Sequence, residues 1–330
     1  MKVAFLINDY TTLVESMATA MFMESSARRD HEVLVFGVAD WVVDERGKLF
    51  ALARKYPSPL LSSRGEQLKA LKESKPYVLS LEEMDVLWIR TNPARDQRRW
   101  AHDSSLLLAE ILESRGVLVL NRPAGLRKAS SKLYLMTLPE EVRPTTFVAH
   151  HPEQIKGFVE SQGEDCVVKP VQGTRGQNVF VLRSPKADNQ NQILDVLEKD
   201  GFIMAQTFVP EAPQGDVRLI VMNGKLLEKD GEVAAIHRVP GKGDFRSNIH
   251  TGGRPQPPII TQTMRDVVNS VSERLVQDGL FLVGVDFIGG RIIELNVFST
   301  GGFRDAERFT GIAFTNLVVA EIERQVEARV

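Results

Sequence analysis

The stretch Gly284-Val285-Asp286-Phe287-Ile288-Gly289-Gly290-Arg291-Ile292-Ile293-Glu294-Leu295-Asn296 reads as two apolar strands around a Gly-Gly turn. Side chains alternate faces along a strand, so Glu294 and Asn296 point the same way. Loop length decides whether Asp286 joins them. A two-residue Gly-Gly turn pairs Asp286 with Ile293 and sends Glu294 to the opposite face. A three-residue loop, Gly289-Gly290-Arg291 with a left-handed glycine, sets Asp286 opposite Glu294. In that register two carboxylates and an amide oxygen share one face, with Val285, Phe287, Ile293 and Leu295 on the other. Carboxylate and carbonyl oxygens are the hard ligands Mg²⁺ takes, with phosphates and water completing its shell. The competing reading is the wet face of an ordinary hairpin, although no Lys, Ser or Thr occupies that face.

Upstream, Val167-Val168-Lys169-Pro170-Val171-Gln172-Gly173-Thr174-Arg175-Gly176 places a lysine inside an apolar strand and a glycine-bracketed loop after it. Burial disfavours the ammonium form unless the charge is paired, and a nucleotide phosphate is one such partner. Small loop residues let backbone N–H groups close over anionic oxygens. This is not a Walker loop, since Gly-Lys-Ser/Thr and a following helix are missing. Arg218 lies in the apolar strand 217–222, Arg238 ends another, and Arg246 and Arg254 flank a glycine-rich stretch containing Asn248 and His250. The planar guanidinium fork binds carboxylate and phosphate alike, so each arginine is open to a structural salt bridge or a phosphate.

Further out, residues 1–120 alternate apolar runs with helical patterns: strands at 3–7, 33–37, 86–89 and 117–120, helices at 14–29 and 103–115. That order predicts a parallel sheet of βαβ units, with functional residues just past the strand ends, where Arg90-Thr91-Asn92-Pro93 follows 86–89. The charged, proline-bearing stretch 44–80 reads as an insertion or loop region. After Asn121-Arg122-Pro123 comes a helix carrying Lys132, then β-patterned runs at 147–149, 166–169, 179–182, 202–206, 217–222, 234–237, 282–287 and 292–296. Two helical patterns, 188–200 and 262–278, interrupt them. This is an α/β first part followed by an α+β second part.

With 330 residues the chain suits two or three packed units, and a net charge of -2 offers no global field for nucleic acid or anionic membrane. Its single cysteine, Cys166, excludes an internal disulfide framework and a cysteine-rich zinc cage. No apolar run approaches the roughly 20 residues of a membrane span, so a cytoplasmic location is expected. His150-His151 has no carboxylate or cysteine spaced as a ligand and reads as surface.

Together these segments resemble the ATP-grasp superfamily, and within it the prokaryotic glutathione synthetase family. The similarity runs in order through Trp88–Pro93, Asn121-Arg122-Pro123 with Lys132-Leu133, Val168–Gly176, Met204-Ala205-Gln206, Gly215–Arg218, Arg238-Val239-Pro240, Arg246–Arg254, Gly284–Asp286 and Glu294–Val297. The resemblance implies an ATP-grasp fold with an N-terminal parallel-sheet domain (1–122), a central lid (123–203) and a C-terminal nucleotide-binding domain (204–330). It implies ATP and Mg²⁺, or Mn²⁺, as cofactors, and small amino-acid or peptide substrates. A homo-oligomer without nucleic-acid or membrane partners is expected.

By the same resemblance, Lys132 and Lys169 hold phosphate, and Gly173, Thr174, Arg175 and Gly176 form the glycine loop. Gln206, Phe208 and Val209 form the adenine hinge, and Asp286, Glu294 and Asn296 hold the metal. Arg218 and Arg238 serve the phosphoryl position. Arg90, Arg246, Asn248 and Ser299 serve the peptide substrate. The implied reaction is ADP-forming ligation of a carboxylate to an amine through an acyl phosphate, with γ-glutamylcysteine and glycine as the leading pair. Two alternatives are a ligase for another pair and a non-catalytic nucleotide-binding regulator. The chain departs from the family at Ser299-Thr300-Gly301-Gly302, where Ser-Pro-Thr is usual, and at Thr91-Asn92-Pro93-Ala94, where an acidic residue and two prolines are typical.

Overall fold

The computed structural model of the chain describes residues 1–173, 177–183, 189–241 and 253–329. Its first sheet grows from Lys2–Ile7, every residue of which after Lys2 is buried. Glu32–Gly37 and Val86–Ile89 flank this strand in parallel, and Leu118–Leu120 adds a further parallel pairing. Parallel neighbours need a crossover, and the helices Ala18–Arg28 and Arg99–Ser114 lie in two of these connections. The chain leaves Lys2–Ile7 toward one side of the sheet and later returns on the other, so the ends of Lys2–Ile7 and Val86–Ile89 bound a crevice of the kind that takes ligands. There Asn92 N–H donates to Asn8 Oδ1 at 2.6 Å, and Asn8 Nδ2 donates to the Asn92 carbonyl at 2.9 Å.

The stretch 44–80, expected as an insertion or loop, is built structure. Leu49–Lys55 and Tyr77–Ser80 are antiparallel strands, and Arg64–Glu73 is a helix capped by Ser63. The apolar signal there is thin: only Leu49, Ala51 and Ala53 of the strand are buried, and the helix buries Gln67, Leu68 and Leu71.

A second, four-stranded sheet runs in the order Phe180–Leu182, Cys166–Pro170, Ile203–Thr207, Thr146–Ala149, antiparallel throughout. The helix Pro152–Gln162 packs with it through Ile155 and Val159 and was not expected, although Pro152 at its first position and left-handed Gly163 at its end are ordinary helix punctuation. Cys166 is buried in this core, and burial pushes its thiol up to about 11, which makes it inert. Lys132 falls outside the α-helix Pro123–Lys128 and opens the 3-10 helix Lys132–Thr137.

The third sheet carries Arg254–Gln256, Ala235–Val239, Asp216–Met222, Leu282–Ile288 and Arg291–Asn296 in that order. The helix Gln262–Gln277 buries Met264, Val268, Val271 and Leu275. Two C-terminal helices, Phe303–Thr310 and Phe314–Glu327, were also unexpected. Phe314, Val318 and Ile322 recur at fourfold spacing along the second and join Phe303, Phe22 and Phe5 in one core, which fastens the chain's end to the first sheet. Asn121 clasps the third sheet directly: its Nδ2 donates to the carbonyls of Leu282 (3.1 Å) and Val297 (2.6 Å), and its Oδ1 accepts the Leu282 N–H (2.8 Å).

Candidate active site

Strand register brings the charged residues of four strands onto one face of the third sheet. Asp216 and Arg218 are two apart on one strand and share a face. Arg238 is directly across from Asp216, Asp286 across from Arg218, Glu294 across from Asp286, and Asn296 across from Gly284.

The hairpin reaches this register by a route the sequence reading did not contain. Ile288 pairs with Arg291, so Gly289-Gly290 is a two-residue turn, with both glycines left-handed at φ 54° and 77°. The sequence makes the Asp286–Glu294 opposition conditional on a three-residue loop, and that loop does not form. The Asp286–Glu294 opposition comes instead from a β-bulge: Phe287 pairs with Ile292 and Asp286 with Glu294, which leaves Ile293 as the extra residue. The bulge also turns the Ile293 carbonyl toward Lys169, whose Nζ donates to it at 3.4 Å.

Asp286, 1% exposed, is the hub. Arg218 grips it through Nε to Oδ1 (2.6 Å) and Nη2 to Oδ2 (2.7 Å), Arg238 Nη2 reaches Oδ2 at 2.8 Å, and Asn296 Nδ2 donates to Oδ2 at 3.0 Å. Burial pushes the Asp286 carboxyl up, but the two guanidinium charges outweigh it and hold it down at about 2. Arg238 also pairs with buried Asp216; burial lowers its pKa, but Asp286 and Asp216 together carry it well above the usual arginine range. Asp216 was not singled out in the sequence, although an acid two residues from Arg218 on an apolar strand shares that arginine's face.

Two lysines approach the same face from outside the sheet. Lys169 is 8% exposed, and burial together with the neighbouring Lys132 ammonium brings it down to about 8, against the pull of Glu294 and Asp286. Lys132 Nζ donates to the Gly173 carbonyl at 2.8 Å and lies 3.9 Å from Glu294 Oε1. Cations at positions 132, 169, 218 and 238 thus meet carboxylates at 216, 286 and 294, a balance that favours a further anion.

A cleft beside this face is lined by Asn92, Pro93 and Ala94 from the first sheet, Lys132 and Gly173, and Glu294, Asn296 and Ser299. Glu294 is partly exposed there, with its side chain at 32%. Asp286 Oδ1 accepts one bond among the described residues, so a lone pair remains. Two carboxylates and an amide on one face fit a hard divalent cation.

Arg90 is 4% exposed and sits between Thr19, the Thr300 carbonyl and the rings of Phe22 and Trp88. Gln206 is buried on Ile203–Thr207, with Nε2 donating to Thr146 Oγ1 at 3.0 Å. Phe208 N–H donates to the Asp165 carbonyl at 2.8 Å. Val209 lies against the turn, within 2.9 Å of where a Gly289 Cβ would stand. Thr174, Arg175, Gly176, Arg246 and Asn248 lie outside the described residues. His150-His151 gains a neighbour that its local sequence lacks: Glu198 Oε1 is 4.0 Å from His151 Nδ1.

Comparison with known proteins supplies the wider context. Residues 1–127 match the family model described as prokaryotic glutathione synthetase, N-terminal domain, and residues 131–311 match its ATP-grasp domain. A curated glutathione synthetase from a Nostoc species is 30% identical over 339 aligned residues, covering 99% of each chain. One from Vibrio cholerae is 33% identical over 252 residues, 76% of each. Among solved structures, D-cycloserine synthetase DcsG superposes with TM-score 0.66 at 15% identity, over 97% of this chain and 99% of that one. The ATP-grasp ligase PsnB, complexed with a minimal precursor, Mg and ADP, gives TM-score 0.62 at 16% identity over 98% of each. At such identities these two speak for the fold alone.

Proposed function

This chain belongs to the prokaryotic glutathione synthetase family, and we propose from that premise that it joins the carboxylate of γ-glutamylcysteine to the amine of glycine. It is an ATP-dependent, ADP-forming peptide ligase that works with Mg²⁺. The observation that carries the site assignment is the single face on which Arg238, Arg218, Asp286, Glu294 and Asn296 align, with Lys132 and Lys169 closing on it.

In this reading the donor carboxylate attacks the γ-phosphorus of ATP, ADP leaves, and the glycine nitrogen displaces phosphate from the acyl phosphate. Lys132 and Lys169 hold the phosphates, and Arg218 and Arg238 neutralise the charge that develops on the transferred group. Asp286 orients both arginines while it offers its remaining lone pair, with Glu294 and Asn296, to the cation. Asp286, Glu294 and Asn296 would hold Mg²⁺, which would supply charge neutralisation at the phosphates. Positioning and neutralisation carry such a reaction, so an acid–base pair is unnecessary beyond loss of a proton from the ammonium. We assign Gln206, Phe208 and Val209 to the adenine side, Gly173, Thr174, Arg175 and Gly176 to the phosphates, and Arg246, Asn248 and Ser299 to the peptide. We assign 1–122, 123–203 and 204–330 as N-terminal, lid and nucleotide-binding units, the last beginning within the strand Ile203–Thr207. No helix among the described residues is long and apolar enough to cross a membrane, and we place the enzyme in the cytoplasm as a homo-oligomer acting on small molecules.

The cleft wall supports a second reading of specificity. Asn92, Pro93, Ala94 and Ser299 line it, at the positions where the chain departs from its family pattern, so another donor–acceptor pair is the rival. ADP release is to be measured with dipeptide donors against small amine acceptors. Release that needs both γ-glutamylcysteine and glycine supports the proposal, and release with a different pair selects the rival. A chain that binds ATP but releases no ADP with any pair is not a ligase.

A further inference from the structure

Thr300 is 1% exposed, with its hydroxyl and its carbonyl both engaged. Its hydroxyl accepts the Gly284 N–H at 2.8 Å and donates to the Asn296 carbonyl, and its own carbonyl accepts Arg90 Nη2 at 2.9 Å. Gly284 and Asn296 are opposed across the hairpin, each two residues from one of the carboxylates Asp286 and Glu294. The hydroxyl therefore staples the hairpin one same-face position from the two carboxylates. The packing is close: a Cβ at Gly284 would stand 3.0 Å from Thr300 Oγ1 and 3.3 Å from Arg218 Cδ. Arg90 comes from the other sheet, directly after Val86–Ile89, and has no ion-pair partner among the described residues. Two to four residues on, Asn92, Pro93 and Ala94 form the cleft wall.

We infer that Arg90 and Thr300 act as one positioning unit. Arg90 serves the reaction through Thr300 rather than by touching substrate, and the pair fixes the ligand hairpin relative to the wall Asn92–Ala94. A guanidinium buried without a carboxylate is costly unless its donors are engaged, and here the acceptors are the Thr19 hydroxyl at 3.4 Å and, at the shorter 2.9 Å, the backbone of the residue that ties the hairpin. This inference rests on the ligase reading above.

Thr300→Val removes the hydroxyl and keeps the shape; Thr300→Ser keeps the hydroxyl. Misplacing reacting groups by about an ångström costs roughly a hundredfold, so Thr300→Val and Arg90→Met are each expected to lower kcat by about that factor, with donor KM within about twofold. Thr300→Ser is expected to stay within about threefold of wild type, and the double variant to be no slower than the slower single one. Hydrogen exchange at the Gly284 amide, read without turnover, should quicken roughly tenfold in Thr300→Val for the loss of its acceptor. Arg90→Met that raises donor KM and spares kcat would make Arg90 a substrate contact and overturn the inference. Losses that multiply in the double variant, or unaltered Gly284 exchange in Thr300→Val, would overturn it equally. If Arg90→Met does not fold, the Val and Ser variants at position 300 carry the test. A wild-type chain that turns over no substrate pair defeats the ligase reading alone, because the exchange measurement still judges the staple.

Discussion

Binding of ADP at pH 8.5 is expected to draw a proton onto Lys169. In the free protein, burial and the nearby Lys132 ammonium lower this amine from 10.5 to about 8. The corresponding cost of holding the charge is about 3 kcal/mol. A phosphate beside Lys169 removes that cost and returns the amine to full protonation. A group of pKa about 8 is roughly nine-tenths protonated at pH 7 and about a quarter protonated at pH 8.5. Binding should therefore take up roughly 0.1 proton at pH 7 and roughly 0.75 at pH 8.5, and affinity should fall as pH rises above 8. The sign for stability is opposite. The unfolded amine keeps its proton up to about 10.5, so between pH 8 and 10.5 the unfolded chain binds more protons and the free fold gains stability as pH rises. Titration calorimetry of ADP with Mg²⁺, in two buffers of different ionisation enthalpy at each pH, reads the uptake. Lys169→Gln subtracts any proton taken by the nucleotide or by other groups. Equal uptake at both pH values, or the same uptake in Lys169→Gln, would refute the placement of Lys169 at the phosphates.

Asp286→Asn leaves Arg218 and Arg238 without their shared charge, and breaking a buried pair costs roughly 3 kcal/mol. The urea midpoint should drop, and turnover should fall at least a hundredfold at saturating Mg²⁺ (about 3 kcal/mol in the barrier); unchanged turnover would remove Asp286 from the site. Because its folded pKa is lowered to about 2, wild-type Asp286 stabilises the fold above about pH 4, and that contribution fades as pH falls toward 2. Acid unfolding followed by circular dichroism should show Asp286→Asn losing less than wild type in that window. At the turn, a Cβ on Gly289 would meet Glu211 at 2.5 Å and Val209 at 2.9 Å, whereas one on Gly290 would meet only Thr263, at 3.1 Å at the nearest. Both positions are left-handed, so each alanine strains the backbone by about 1 kcal/mol. Gly289→Ala should raise the KM for ATP more than Gly290→Ala does, and equal KM values would separate Val209 from the nucleotide.

Much of the site could be read from strand alternation. Period two places Glu294 beside Asn296, and Asp216 beside Arg218, whatever the tertiary fold. Cross-strand partners are another matter, because they depend on register, which no single strand encodes. Arg238 meeting Asp216, and Arg218 meeting Asp286, become visible only once the strands Ala235–Val239, Asp216–Met222 and Leu282–Ile288 are laid side by side. Arg90 shows the same limit from another side. Its place after an apolar strand pointed correctly to the end of the sheet, but that one residue seals against Phe22 and Thr300 while the next few open into the cleft is decided by packing across 210 residues of chain. The hairpin is the instructive case. Its turn has the glycines of a two-residue loop, and an unbroken ladder from that loop would have turned Glu294 away from Asp286. Ile292 and Ile293 are the same residue type, so composition cannot say which of them is extra. The fold distinguishes them by what each can reach: Ile292 is fully buried opposite Phe287, and Ile293 turns its carbonyl toward the Lys169 ammonium. The bulge therefore answers an apolar core and a buried cation at once, and the facing of Asp286 and Glu294 follows from it; the hairpin's own sequence holds the two carboxylates but not the register that opposes them.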